Sequence, residues 1–99
     1  MPSQTLARFP LGQCVATPGA LAALEANNTF PIVFLKRHES GDWGDLGDGD
    51  KRMNDAAIHP DPDKCDRILS MYKLPDGDEI YVITEWDRSV TTVLLRSEY

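Results

Sequence analysis

His38, Asp42, Glu85 and Asp87 are the side chains of this sequence best suited to general acid–base work. A histidine can exchange a proton near neutral pH when a carboxylate orients its ring, and Asp42 or Glu85 would supply that carboxylate. Thr84 or Ser89 would then be the nucleophile. Each residue also has an ordinary structural reading. His38 follows Lys36 and Arg37, the composition of a helix C-terminus, where a histidine serves as a capping cation. Asp87 and Arg88 lie in a tight WDRS connection, where aspartate bonds its own backbone and arginine clips a nearby carboxylate such as Asp42 or Asp45. No nucleophile elbow or phosphate loop accompanies the set. Catalysis therefore ranks below binding.

The stretch SGDWGDLGDGD, residues 40–50, holds Asp42, Asp45, Asp48 and Asp50 among four glycines. Carboxylates are the hard ligands that calcium and magnesium prefer. An EF-hand loop, however, needs acids at alternate positions, glycine at the sixth and glutamate at the twelfth. No frame here meets that template; starting from Asp48, the fifth position is Arg52. His38, His59, Cys14 and Cys65 lie at no zinc-ligand spacing. The reading is therefore no metal and no cofactor, with Cys14 a buried free thiol and Cys65 a free thiol in a polar loop. Trp43 within the acidic loop has two orientations to choose between. Turned outward, an indole flanked by carboxylates suits a protein-binding hot spot; turned inward, it anchors the loop in the core.

The charge is uneven. The chain carries a net −6; residues 1–38 carry a net +2, whereas residues 39–66 set nine acids against three bases. That balance argues against direct nucleic-acid binding, which depends on neutralising phosphates with Lys and Arg. It favours instead a partner protein with a basic surface, such as a groove that normally holds nucleic acid. No stretch approaches the roughly 18 apolar residues of a membrane span, and the N-terminus MPSQTLARFPLGQ lacks the apolar core of a secretory signal. A cytoplasmic protein without membrane contact is the expectation.

The positioning elements follow from punctuation and periodicity. GQCVAT reads as a strand, and Thr17-Pro18 starts a helix over PGALAALEA that Asn27 and Asn28 stop. A second helix starts at Thr29, with Phe30, Val33, Phe34 and Arg37 on one side. Asp48 or Asp50 caps a third, in which Met53, Ala57 and Ile58 face inward, and HPDPDK ends it. DRILSMYKL, EIYVITEW and SVTTVLLR alternate with period two and are joined by short turns, one of them Asp-Gly. In that register Trp86 shares a face with Val82.

RHxSGDWGDL, a following polar helix that contains Asn54, and ITExDRSVTTxLL together resemble a family of small uncharacterised bacterial proteins, often labelled plasmid-related, from mobile elements. The resemblance covers about residues 11–99 and departs from the family at Trp86 and at Arg96-Ser97. It implies no activity or ligand. Its genomic setting implies a counter-defence role, such as blocking a restriction or CRISPR complex.

These readings converge on one α+β domain over residues 1–99: two or three N-terminal helices on an antiparallel sheet of three to four strands, made of a C-terminal meander plus an N-terminal edge strand. The leading function is non-enzymatic interaction through Asp42, Trp43, Asp45, Asp48 and Asp50. His38, Asn54, Glu85, Asp87 and Arg88 are structural or secondary site candidates. A small hydrolase-like or ligand-binding enzyme using His38, Asp42, Glu85 and Asp87 is the alternative.

Overall fold

The computed structural model describes residues 7–99; residues 1–6, the first part of the segment read above as lacking a secretory signal, lie outside them. Strand β1 (Gln13–Ala16) leads into helix α1 (Pro18–Ala26), followed by α2 (Pro31–Glu39) and α3 (Asp48–Ala57). Strands β2 (Ile68–Lys73), β3 (Glu79–Thr84) and β4 (Val90–Leu95) complete one sheet in the order β1-β4-β3-β2. The meander β2-β3-β4 is antiparallel, and β1 joins its edge parallel to β4. The α+β expectation holds, with a mixed sheet in place of a purely antiparallel one. Among the described residues, no helix is long and apolar enough to cross a membrane.

Local chemistry explains most boundaries. The Thr17 hydroxyl accepts from the Ala20 amide at 3.1 Å, and Pro18 occupies the first turn, where its missing N–H costs nothing. Asn28 takes φ 56° beyond the helix end, a conformation its short polar side chain tolerates. The Asp76-Gly77 turn has Gly77 at φ 96°.

Helices α2 and α3 depart from the sequence reading. Thr29 does not start α2, because its amide is already bonded to the Leu24 carbonyl and closes α1. Phe30 is the cap, and the buried stripe is Phe34, Leu35 and His38, with Phe30 and Val33 facing solvent. Helix α3 is capped by Gly47, with Asp48 and Asp50 inside its first turn. Its inward residues are Asn54 and Ala57; Ile58 is half-buried and Met53 is exposed. The helix lies against a strand edge, so it presents an amide where an ordinary amphipathic helix presents an apolar side chain. Cys14 is exposed, because β1 is the outermost strand of the sheet.

That covered edge of β2 organises the molecule. The Asn54 amide accepts from the Leu69 N–H at 3.1 Å and donates to the Leu69 carbonyl at 2.7 Å, as a neighbouring strand would. Two residues on, the Met71 N–H donates to the Trp43 carbonyl, and the Met71 carbonyl accepts from the Asp45 N–H. The Asp45 carboxylate then accepts from the Lys73 N–H at 3.0 Å. The acidic loop thus occupies backbone groups that would otherwise template edge-to-edge pairing. Gly44 permits the approach: its φ is 77°, and a Cβ there would sit 2.0 Å from the Met71 carbonyl oxygen. Gly44→Ala should therefore cost about 3 kcal/mol and promote self-association through β2. Urea denaturation and light scattering check this, and wild-type stability in the variant would contradict the edge-cover role.

Candidate functional site

His38 sits on the buried face of α2 and is fully enclosed. Its Nδ1 lies 2.6 Å from Ser70 Oγ on β2, and its Nε2 lies 2.9 Å from Thr84 Oγ1 on β3. Thr84 Oγ1 is 2.7 Å from Thr91 Oγ1 on β4, which donates to the Leu11 carbonyl at 2.7 Å. That carbonyl can only accept, so it fixes every proton in the chain. Thr91 spends its hydroxyl hydrogen on Leu11, so Thr84 donates to Thr91, and His38 Nε2–H donates to Thr84. Nδ1 is then the acceptor for the Ser70 hydroxyl. The ring is neutral, and it is boxed by Phe9 and Trp43, with ring centroids 5.1 and 5.9 Å away.

The geometry does place His38 beside a hydroxyl proposed as its nucleophile, but with the opposite polarity. Thr84 receives a proton from the ring, and His38, Thr84, Ser70 and Thr91 are all closed to solvent. Burial, reinforced by the Arg88 charge, pushes the His38 pKa down to about 3. The capping-cation reading of His38 is corrected by the same facts: the ring points into the core and carries no charge.

The acids named with it are bonded elsewhere. Asp42 accepts from Arg37 Nε at 2.7 Å, and this guanidinium holds its carboxyl below the ordinary range. Glu85 takes a two-pronged contact from Arg67 at 3.1 Å on each oxygen. Asp87 closes its own turn, accepting from the Ser89 amide and hydroxyl, as the turn reading anticipated. The four residues of the enzymatic alternative are therefore not assembled into one site.

Arg88 pairs with neither Asp42 nor Asp45. It adopts φ 59° and donates to three backbone carbonyls: Asp66 at 2.6 Å, Ala57 at 2.8 Å and Glu85 at 3.2 Å. One guanidinium thereby ties the end of α3, the loop before β2 and the end of β3. The planar five-donor fork makes this possible where a lysine ammonium could not.

Trp43 takes the inward orientation. It is only 4% exposed, packs on Phe9, and donates Nε1–H to Asp55 at 3.1 Å. Asp45 is used on β2 as described, and Asn54 is a structural amide. Asp48 and Asp50 remain exposed, and no described residue bonds to their carboxylates. Asp50 also lines a cleft of about 340 Å³ with Leu46, Met53, Asp66, Arg67 and Tyr81. Trp86 lies past the end of β3, so strand register no longer applies to it, and it is exposed.

Sequence reasoning missed Thr91 and Phe9, and it missed the partnership of Ser70 with His38. The available signal was that Ser70, Thr84 and Thr91 are hydroxyls at inward positions of alternating strands. Among the described residues, no group of three or more His, Cys, Asp or Glu side chains is placed to hold a metal. Compared with protein-family models, curated proteins and solved structures, the chain matches none.

Three outcomes follow from this geometry. Above pH 6.5 both folded and unfolded His38 are neutral, and below that value only the unfolded histidine gains a proton. Stability should fall as pH drops from 6.5 toward 4.5, by up to about 1.4 kcal/mol per pH unit. His38→Leu should flatten that slope while costing about 2 kcal/mol at neutral pH, because the Ser70 hydroxyl loses its acceptor. Urea midpoints across the pH range check both. Arg88→Lys should destabilise nearly as much as Arg88→Ala, each by about 2 kcal/mol; a lysine that restores wild-type stability would refute the three-carbonyl clamp.

Proposed function

We propose that this chain is a non-enzymatic interaction protein that binds a basic protein surface through the acidic side formed by α3 and the loop before it. The observation that carries the reading is the pair Asp48 and Asp50, exposed and without bonded partners among the described residues. Asp50 borders a cleft whose walls include Leu46, Met53 and Tyr81, with Asp66 beside it and the Arg67 guanidinium turned to its pairing with Glu85. Such a cleft suits a lysine or arginine, whose stem packs on apolar wall while its head meets carboxylate. Asp42 and Asp45 contribute field at this surface while serving the fold, and Trp43 supports the loop from beneath.

The resemblance to mobile-element proteins extends the reading to a particular target. An acidic face can occupy a groove shaped for phosphates, so the partner is a nucleic-acid-handling complex of host defence, met in the cytoplasm. The acidic side itself repels nucleic acid.

The test is capture of host proteins by wild type and by the Asp48→Asn/Asp50→Asn double variant. The wild-type chain should retain basic proteins that are released by raised salt and by competing duplex DNA, since both weaken this attraction. The double variant, with circular dichroism unchanged, should lose roughly tenfold of that capture, about 1.4 kcal/mol. Equal capture by both, or capture indifferent to DNA, would remove the proposal.

A further inference from the structure

Four of the large apolar side chains left exposed come from neighbouring stretches: Leu21 on α1, and Phe30, Ile32 and Val33 at the start of α2. Phe30 is 67% exposed and caps α2 without any side-chain hydrogen bond. Residues favoured at that position carry a short polar side chain, so helix formation does not account for an aromatic there. Leu21, Leu24, Phe30 and Pro31 line a cleft of about 450 Å³ that also includes Glu25 and Asn28. That volume lies within the range of sites that take a small ligand or a bulky side chain.

The electrostatics of this cleft select its occupant. Glu25 lies in the last turn of α1, and that turn contains no basic residue. A helix C-terminus carries partial negative charge and is ordinarily complemented by Lys, Arg or His. Helix α2 follows the rule with Lys36 and Arg37 in its last turn, where Lys36 also pairs with the terminal Glu39. Helix α1 breaks it by adding a carboxylate to its negative end. No described residue gives that carboxylate a hydrogen bond or ion pair.

We propose that the α1–α2 cleft docks a peptide segment of a partner protein that inserts a bulky apolar side chain beside a lysine or arginine. The apolar group fills the space between Leu21, Leu24 and Phe30. The cation pairs with the Glu25 carboxylate, because the Ala23, Leu24 and Glu25 carbonyls are already closed by the Asn27, Asn28 and Thr29 amides, and the exposed face of Phe30 offers it a cation–π contact. A second copy of this chain fits poorly, because two molecules of net charge −6 repel. The cleft is separate from the acidic side on α3: α1 packs on β4, and α3 packs on β2. This inference therefore goes beyond the function proposed above and does not share its site.

The test is an amide-resolved NMR titration with two probes, N-acetyl-Lys-Trp-Arg amide and N-acetyl-Glu-Trp-Glu amide, at low salt. The basic probe should shift the amides of Leu21, Glu25, Asn28 and Phe30 and bind at least about fivefold tighter than the acidic one. Glu25→Gln should reduce that preference to less than about twofold, and Phe30→Ala should weaken both probes about fivefold. Both changes are at exposed positions, and unshifted amides elsewhere report an intact fold. Asp48→Asn/Asp50→Asn, which alters net charge more, should leave binding here unchanged within about twofold. Shifts confined to other residues, equal affinity for both probes, or a preference that survives Glu25→Gln would each overturn the proposal.

Discussion

The structure depends on keeping one neutral histidine fully bonded inside the core. His38 is the point at which α2, β2, β3 and, through the threonine pair, β4 and the N-terminal segment are held in register by directional bonds. An apolar residue in its place would leave the packing of Phe34 and Leu35 but remove the directional bonds from α2 to β2 and β3. The hydroxyl chain ending on the Leu11 carbonyl permits only one tautomer and one set of proton positions. A buried polar network of this kind is unforgiving when incomplete, and it defines a unique packing when every member is satisfied.

The acidic loop solves a different problem with related chemistry. A meander whose outer strand is β2 leaves a row of unpaired backbone groups, and a helix cannot cover them with aliphatic side chains alone. The Asn54 amide, the Trp43 and Asp45 backbone and the Asp45 carboxylate supply the missing partners in succession along the strand. Arg88 then fastens the far end of α3 to the same region. Carboxylates that looked alike in sequence consequently divide into two groups. Asp42, Asp45 and Asp55 are bonded to their own chain, whereas Asp48 and Asp50 face outward from the first turn of α3, where the helix dipole favours them.

This division bears on function. Catalysis requires a group that can reach solvent or substrate, and the only histidine among the catalytic candidates is closed in a hydrophobic box with a strongly lowered pKa. What remains accessible is surface: an acidic side on α3 and an apolar cleft at the α1–α2 junction with a negative rim. Under the two proposals above, each would take complementary positive charge with apolar contact nearby. The first feature lies on the helix along the β2 edge and the second on helices packed over the inner strands β4 and β3.

Much of the scaffold was legible in the residues. Thr17-Pro18, Asn27-Asn28, Asp76-Gly77 and the alternation of Ile68, Ser70, Tyr72 and Leu74 are local signals, because caps, turns and strand faces depend on neighbours a few residues away. The inward stripe of α2, the polar face of α3 and the orientation of Trp43 were not legible. Each depends on what lies opposite: a pair of hydroxyls for His38, a bare strand edge for Asn54, and Phe9 with Asp55 for Trp43. The candidate site divided in the same way, since Asp87 was readable as a turn residue while Asp42 and Arg88 found partners that no spacing announces. By itself the sequence determined the α+β class, the element order and the concentration of acid in the middle of the chain, all consequences of short-range preference and composition. Only the tertiary structure decided which polar groups are buried and bonded and which are left to meet a partner, because satisfying a buried donor or acceptor requires atoms brought from distant parts of the chain.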